Sequence, residues 1–304
     1  MKRHTVVGLG ELLWDILPDG KQLGGAPANF AYMTSLLGDE GLVASRVGND
    51  ALGRSAARRL QRIGLKTSHI QLDSEHATST ANVNVDAAGQ ATFEFGDSVA
   101  WDFFQWTTDW HELAEKVDAV CFGTLAQRAP RSRATVRAFL QAVNKRTVRV
   151  FDVNLRPPHY SAESLDESLK LTDIVKLNHD EIAIVPKLLG FTGDGEETAA
   201  CWLREKYKLK LVCVTRGAQG SLLASEKDIV IHAGCKVRVV DTVGSGDAFT
   251  AALVYHYLRQ ASLATLSEAA NRMGSWVAGH AGATPKRDNK QLERIRTTHV
   301  GKDD

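Results

Sequence analysis

Short apolar runs alternate with amphipathic stretches along most of the chain. The runs TVVGLG, LVASRVG, DAVCFG, VRVFDVN and LKLVCVTRG have the composition of buried strands. Helical spacing of apolar residues appears in PANFAYMTSLLG, ALGRSAARRLQRIG and SRATVRAFLQAVNK, and ESLKLTDIVKLN contains a helix followed by a strand. Apolar strands that alternate with helices predict a parallel sheet covered on both faces. We therefore expect a doubly wound α/β fold with a mainly parallel sheet and helices on both faces.

Two segments break this alternation. WDILPDGKQLGG has a Pro-Asp-Gly turn between two extended pieces, and STANVNVDAAGQATFEF alternates apolar and polar residues on either side of a small polar turn. Both patterns are typical of antiparallel hairpins with one face open to solvent. We expect the insertions at about 12–24 and 79–100 to pair into a small β-sheet lid over the active site, within a single domain spanning 1–304.

Composition excludes several functional classes. The 304 residues include 37 Lys and Arg against 36 Asp and Glu, so no charge excess indicates a nucleic acid or a membrane as partner. The arginines at 54, 58, 59 and 62 have the spacing of a solvated helix face. Four widely spaced cysteines without a C-x-x-C pair argue against a disulfide framework or a zinc site. Without a signal-peptide core or an apolar run of bilayer length, a cytoplasmic location is expected.

The segment VRVVDTVGSGDAFTAALVYHYL predicts a strand, a glycine loop and a helix, an arrangement that places ligands at the end of the strand. Gly244 and Gly246 let backbone N–H groups approach an anion, and the helix N-terminus adds positive charge. Asp247 in the first helical turn stands beside this site and can take a proton from an attacking hydroxyl. Taken alone, Asp247 is equally well explained as an acid favoured by the helix dipole.

The motif DTVGSGDAF resembles the C-terminal signature of the ribokinase-like (PfkB) family of sugar kinases, with Ser245 in place of the usual alanine. LGGAPANFA resembles the N-terminal signature of that family, and FDVNLRP, KLNHDE and VTRGAQGS are similar to its middle motifs. All five occur in the family's order and cover nearly the whole chain. GELLWDILP, GGAPANFA and FDVNLRPP are most similar to the fructokinase branch. The resemblance implies a ribokinase-like fold and ATP-dependent phosphorylation of a sugar.

The resemblance also implies roles for particular residues. The general base and the anion hole correspond to Asp247, Gly244, Ser245 and Gly246. The sugar-binding positions correspond to Asp15, Gly25 and Asn29. Arg156 is a further candidate for a phosphate or substrate contact, because a guanidinium fork recognises such groups well. Alternatives remain open, since Asn29 can bond locally at a helix end and Arg156 can brace a loop beside Pro157.

Nucleotide and metal positions are implied in the same way. The nucleotide contacts correspond to Thr215, Gly217, Gly220 and Asn271, although a turn after a strand and a polar helix position would look alike. Asn178 and Glu181 correspond to the N-x-x-E motif that organises Mg²⁺ through water, or they form a capping box at a helix start. A monovalent cation, K⁺, is implied beside the anion hole at Asp241, Val243 and Gly282.

The expected reaction is phosphoryl transfer from ATP to a sugar hydroxyl, with fructose as the first choice of acceptor. The alternatives are another small acceptor on the same scaffold, such as 2-keto-3-deoxygluconate, ribose or a nucleoside, and a sugar or nucleotide sensor without turnover. The expected partners are the sugar and ATP, both small molecules. Exposed edges of the lid also suggest a homodimer formed through the lid.

Overall fold

The computed structural model describes residues 2–17, 20–85 and 91–300. The strands in this part of the chain are β1 (Thr5–Leu9), β2 (Leu13–Leu17), β3 (Gly20–Gly24), β4 (Glu40–Gly48), β5 (Ile70–Asp73), β6 (Ser79–Val85), β7 (Ala91–Phe95), β8 (Ala119–Phe122), β9 (Val148–Asp152), β10 (Ile174–Asn178), β11 (Leu211–Thr215), β12 (Ser221–Ser225) and β13 (Ile229–His232). The α-helices are α1 (Ala26–Leu36), α2 (Ala51–Arg62), α3 (Thr108–Lys116), α4 (Pro130–Ala142), α5 (Ala162–Lys170), α6 (His179–Leu188), α7 (Glu196–Tyr207), α8 (Ser245–Tyr257), α9 (Leu263–Ala278) and α10 (Asn289–Arg296).

Nine strands form the main sheet in the order β13-β12-β11-β10-β9-β8-β1-β4-β5. All neighbours from β11 through to β5 pair in parallel, whereas β12 and β13 are antiparallel additions at one edge. All four residues of β8 are buried, and their sequence AVCF has no polar position because helices cover both faces of the sheet. The predicted α/β class and the mainly parallel sheet are confirmed.

A second sheet forms from the two segments that break the alternation. It has four strands in the order β3-β2-β6-β7, in which β2–β3 and β6–β7 pair antiparallel and β2 joins β6 in parallel. The expected pairing of the two insertions into one small sheet is therefore present. The predicted turn at Pro18 and Asp19 and the tip of the second hairpin at 86–90 lie outside the described residues.

The core has two layers, one on each face of the main sheet. One layer contains apolar side chains of α1, α8 and α9, including Phe30, Phe249 and Met273. The other contains side chains of α3, α4, α6 and α7, including Trp110 and Phe139. Because α1 and α8 pack together on one face, residues from the two ends of the chain meet beside the sheet.

The strand predicted immediately before the glycine loop is wrong. Residues 237–240 lie outside the strands, and Val237, Val239 and Val240 are 42%, 55% and 58% exposed. A strand added to a covered parallel sheet would bury both of its faces. This segment runs over the surface instead, where the N–H groups of Val240 and Asp241 donate to the carbonyl of Ala278 at 2.8 and 3.3 Å. The loop before α8 therefore follows a surface segment.

The arginine group on α2 lies on a solvated helix face, as predicted. The side chains of the arginine group on α2 are exposed, as a solvated helix face requires: Arg54, Arg58, Arg59 and Arg62. All four cysteines are free thiols, two of them buried and two partly buried. Within the described ranges, the search for membrane-spanning helices finds none of sufficient length and apolar character.

Candidate active site

Helix α8 begins at a glycine that the local geometry requires. Its N-cap, Gly244, has φ +76°, and a Cβ there would come within 2.5 Å of the Ala283 side chain. The hydroxyl and the N–H of Ser245 both donate to the carbonyl of Thr242, at 2.7 and 3.2 Å. The first N–H groups of a helix have no partner within the helix, so those of Gly246 and Asp247 are suited to an anion.

Asp247 meets Asn29 across the two helices. Asn29 Nδ2 donates a 2.9 Å hydrogen bond to Asp247 Oδ2, and Asn29 is buried on α1. Burial and the nearby Asp152 carboxylate raise the pKa of Asp247 to about 6, while Asn29, Lys176 and Arg156 oppose the rise. A carboxylate with this pKa is mostly ionised at neutral pH and still binds a proton readily, as a general base must.

A buried ion pair, which was not predicted from the sequence, lies beside the glycine loop of residues 244–246. Lys176 Nζ donates to Asp152 Oδ1 at 3.0 Å, and Thr250 of α8 donates to Asp152 Oδ2 at 2.9 Å. A Cβ on Gly246 would lie 3.0 Å from Lys176 Nζ, so the ammonium group sits against the first turn of α8. Burial lowers the pKa of Lys176, but Asp152 and Glu181 outweigh this effect and raise it overall. The signal was available, since a lysine within an apolar strand needs a buried partner.

The side chain of Asp15, on β2, is another carboxyl group of the candidate site. Burial raises its pKa to about 6, with Arg156 acting in the opposite direction. A Cβ on Gly24 would come within 2.2 Å of Asp15 Oδ2. A residue with a side chain at position 24 would therefore clash with this carboxylate. The predicted Gly25 has a different position as the N-cap of α1, with φ +114° and with the Glu11 carbonyl 2.5 Å from where its Cβ would be.

Glu11 and Arg156 are two further charged residues of the candidate site. Glu11, which was not predicted, is 5% exposed, and burial raises its pKa to about 7. The guanidinium of Arg156 lowers the pKa of Glu11, Asp15 and Asp247, which places it among all three carboxyls. Arg156 Nη1 also donates to the carbonyl of Leu155 at 3.0 Å. Both interpretations of Arg156, a loop brace and a site cation, are therefore consistent with its contacts.

The four predicted nucleotide positions line one cleft. Its volume is about 530 Å³, and its lining includes Thr215, Gly217, Gly220 and Asn271 together with Ser245 and Gly246 of the loop. Val237, Val239 and Phe249 give the cleft an apolar wall. Asn271 Nδ2 donates to Ser221 Oγ at 2.7 Å and to the Ser267 carbonyl at 2.8 Å, which fixes this side chain within the protein. The cleft and the anion loop are thus continuous.

Asn178 and Glu181 form the capping box that was considered for them. Asn178 Oδ1 accepts from the N–H groups of Asp180 and Glu181 at 2.9 Å, and Glu181 Oε2 accepts from the Asn178 N–H at 2.8 Å. Glu181 Oε1 accepts from the Leu155 N–H at 2.7 Å. Burial raises the pKa of Glu181, and Lys176 opposes the rise. Each carboxylate oxygen keeps further acceptor capacity, which fits contact with a hydrated metal better than direct ligation.

The three predicted cation positions also lie together. Asp241 Oδ1 accepts from the Val243 N–H at 3.0 Å, and Asp241 Oδ2 accepts from the Gly282 N–H at 2.9 Å. Among the described residues, no group of three or more His, Cys, Asp or Glu side chains could hold a metal ion. A cation at Asp241 would therefore need backbone carbonyls or water for its remaining ligands.

Comparison with known proteins shows the family of this chain. Residues 19–290 match the family described as pfkB family carbohydrate kinase. A fructokinase of Salmonella typhimurium is 33% identical over 258 residues, which cover 81% of this chain and 82% of that protein. The family model and this relative both indicate a phosphotransferase that acts on a carbohydrate.

Solved structures show the same fold. A fructokinase double mutant from Vibrio cholerae, determined with fructose, ADP and a potassium ion, superimposes with a TM-score of 0.82 at 25% identity, covering 96% of this chain and 98% of that one. An uncharacterised sugar kinase from Pyrococcus horikoshii in complex with ATP gives a TM-score of 0.77 at 27% identity, covering 95% and 99%. The chain belongs to the pfkB family of carbohydrate kinases.

Proposed function

We propose that this kinase is an ATP-dependent fructokinase that transfers the γ-phosphoryl group to a hydroxyl of D-fructose. The observation that carries the proposal is the position of Asp247. It directly follows Ser245 and Gly246, which line the cleft that holds the predicted nucleotide residues, and it lines a cavity together with Glu11. Fructose is favoured because the Salmonella typhimurium relative is a fructokinase and the Vibrio cholerae enzyme was determined with fructose.

Asp247 acts as the general base in this proposal. Its carboxylate accepts the proton of the sugar hydroxyl as that oxygen attacks the γ-phosphorus, a role worth roughly 10²- to 10⁴-fold in rate. Asn29 holds the carboxylate by the 2.9 Å hydrogen bond. The amides at the start of α8, in the 244–246 loop, and the ammonium group of Lys176 stabilise the charge of the transferred group.

The sugar would lie against Asp15, Asn29 and Arg156, whose polar groups can orient several hydroxyls at once. The sheet β3-β2-β6-β7 would act as the lid over this pocket, since β2 carries Asp15. Lid closure would exclude water, which otherwise competes with the sugar as phosphoryl acceptor. The side chains that choose among sugars are therefore those on β2 and at the start of α1.

Asn178 and Glu181 would hold Mg²⁺ through water, because their oxygens already accept backbone N–H groups. When bound, Mg²⁺ neutralises phosphate charge. Asp241, Val243 and Gly282 would border a K⁺ site, a proposal supported by the potassium ion in the Vibrio cholerae structure.

The test is an ADP-release assay with ATP and Mg²⁺ across fructose, ribose, glucose, 2-keto-3-deoxygluconate and adenosine. We expect turnover on fructose and a loss of at least about 100-fold in kcat for Asp247→Asn, with ATP affinity nearly unchanged. Turnover on a different acceptor would retain the mechanism and reject fructose. Near-normal turnover by Asp247→Asn would reject the general base, and no turnover with any acceptor would favour a sensor.

A further inference from the structure

A small, partly open cavity is lined by both Asp247 and Glu11. Its volume is about 20 Å³, and its polar lining consists of Glu11, Thr124, Asp152, Asn154 and Asp247. A cavity needs roughly 10–15 Å³ and several polar partners to hold one water molecule. The cavity meets both conditions, so a water molecule there would bridge Glu11 and Asp247.

Backbone N–H groups already act on Glu11. Those of Glu11 itself and of Ala26, the first residue of α1, lower the pKa of its carboxyl. The Glu11 carboxylate therefore lies near the start of α1. An ionised carboxylate has about four acceptor sites on its two oxygens, so these contacts leave Glu11 able to bind the cavity water as well.

We propose that Glu11 is a positioning residue that receives, through the cavity water, the proton which Asp247 takes from the sugar hydroxyl. The inference rests on the proposed function. The hydroxyl O–H bond breaks and a new O–H bond forms on Asp247. Asp247 then gives this proton to the water, which passes one of its own to the Glu11 carboxylate. Asp247 is left ionised, and no further reactant is needed.

The acidities of the two groups are matched closely enough for proton exchange. Burial raises the pKa of Glu11 to about 7 and that of Asp247 to about 6. Proton transfer from Asp247 to Glu11 therefore costs little free energy. It also proceeds within the protein, which matters when a closed lid separates Asp247 from bulk water.

Other groups around the pair shift this balance in known directions. The titratable and charged side chains that face it are Cys121 and Asp152 in the cavity lining, with Arg156 and Lys176 nearby. Arg156 stabilises the ionised form of both carboxyls, whereas Asp152 and Lys176 have opposite effects on Asp247. Burial raises the pKa of Cys121 well above its usual value, so this thiol stays neutral.

The decisive variant is Glu11→Gln, because glutamine has nearly the same size and shape as glutamate and lacks only the carboxylate that accepts the proton. We expect kcat to fall at least about tenfold, with the sugar and ATP KM values nearly unchanged. The titration near pH 7 should disappear from the pH profile of kcat. Glu11→Asp should recover part of the rate. Glu40→Gln, the same change at the start of β4, is the matched control and should leave kcat unchanged.

A second measurement does not depend on the acceptor. Carboxyl titration by NMR of ¹³C-labelled free protein should show Glu11 with a pKa near 7 that falls in Asp247→Asn, since removal of the neighbouring charge stabilises ionised Glu11. A titration of Glu11 near its ordinary 4.5, or one that ignores Asp247→Asn, would overturn the proposal. So would wild-type kcat and pH profile in Glu11→Gln. A coupled titration in a protein that phosphorylates no sugar would instead reject the proposed function.

Discussion

Asn29 Nδ2 donates a 2.9 Å hydrogen bond to Asp247 Oδ2, and this contact joins two helices that are separated by 218 positions in sequence. The bond fixes the orientation of the carboxylate and stabilises its ionised form, which lowers the pKa of Asp247. One amide therefore sets both the geometry and the protonation of the proposed base. Asn29 itself is buried on α1.

Asn29→Ala should affect the sugar and the pH profile together. We expect a higher KM for the sugar, and an ascending limb of kcat/KM that moves above pH 6, because ionised Asp247 loses the hydrogen bond that stabilises it. Initial rates measured between about pH 5 and 8.5 would show both effects, because this range brackets the reference pKa of histidine and the pKa of about 6 for Asp247. Thr34→Val, at a buried position of the same helix, is the matched control. An effect limited to the KM for ATP would remove Asn29 from the sugar site.

Glu181→Gln separates the two roles considered for the N-x-x-E motif. Both carboxylate oxygens of Glu181 accept backbone N–H groups, from Leu155 at 2.7 Å and from Asn178 at 2.8 Å. An amide can replace only one of these acceptors, so the free energy of unfolding should fall by about 1–3 kcal/mol. If the side chain also binds the hydration shell of Mg²⁺, the half-saturating Mg²⁺ concentration should rise.

Urea denaturation and a magnesium titration of the initial rate measure these two effects independently. The matched control is Glu197→Gln in the first turn of α7, an exposed helix-start acid. Lower stability with an unchanged magnesium titration would leave Glu181 as a cap and exclude it from the metal site. Unchanged stability would contradict the hydrogen bonds to Leu155 and Asn178.

Lys176→Met tests the buried ion pair below the glycine loop. Loss of the Lys176 ammonium group leaves Asp152 charged and without its partner. Removal of one partner of a buried ion pair typically lowers the free energy of unfolding by about 3–5 kcal/mol. The rate should also fall, because the ammonium group no longer stands against the first turn of α8. Asp152→Asn in the same chain should restore much of the stability, since no buried charge remains, but it should not restore kcat.

A double-mutant cycle on Lys176 and Asp152 measures this coupling, with unfolding free energies and kcat recorded for all four proteins. Additive losses of stability would contradict a direct interaction at 3.0 Å. Recovery of kcat in the double variant would show that the ammonium charge is not used in phosphoryl transfer. Lys66→Met, which removes an exposed partner of Glu40, is the control for loss of a surface pair.

The alternation of strands and helices was predictable because the central strands are buried on both faces and are therefore mostly apolar. β12 and β13 were not assigned, although they add two antiparallel strands to one edge of the sheet. The apolar VRVV segment was wrongly predicted as a strand, since its valines are exposed at the mouth of a cleft. Local composition does not distinguish valines that line a ligand cleft from valines in a sheet.

The site was predictable where a residue belongs to a motif with its own local geometry, as with Gly244 and Asp247 at the start of α8. Glu11 and Lys176 were missed because their roles depend on partners far along the chain. Glu11 is positioned by α1 and faces Asp247, whereas Lys176 needs Asp152 and the first turn of α8. Such contacts become visible only when the strands have been placed side by side.

The contribution of Asp247 to stability should decrease as pH rises, because Asp247 is a buried acid with a pKa raised from 3.8 to about 6. The folded protein binds this proton more tightly than the unfolded chain. The resulting stabilisation is complete below about pH 3.8 and is lost as pH rises to about 6. Glu11 and Asp15 act in the same direction, with pKa values raised to about 7 and about 6.

Asp247→Asn should therefore be more stable than wild type at pH 8, by a margin that shrinks towards pH 5, because the variant has no buried charge at this position. Thermal unfolding of both proteins across this range gives the difference in Tm. Asp228→Asn, in the exposed turn between β12 and β13, controls for the loss of a surface charge. The opposite trend, with the margin growing towards low pH, would mean that the carboxylate of Asp247 is stabilised by the fold. In that case, the ionised carboxylate of Asp247 would not lower the stability of the folded protein.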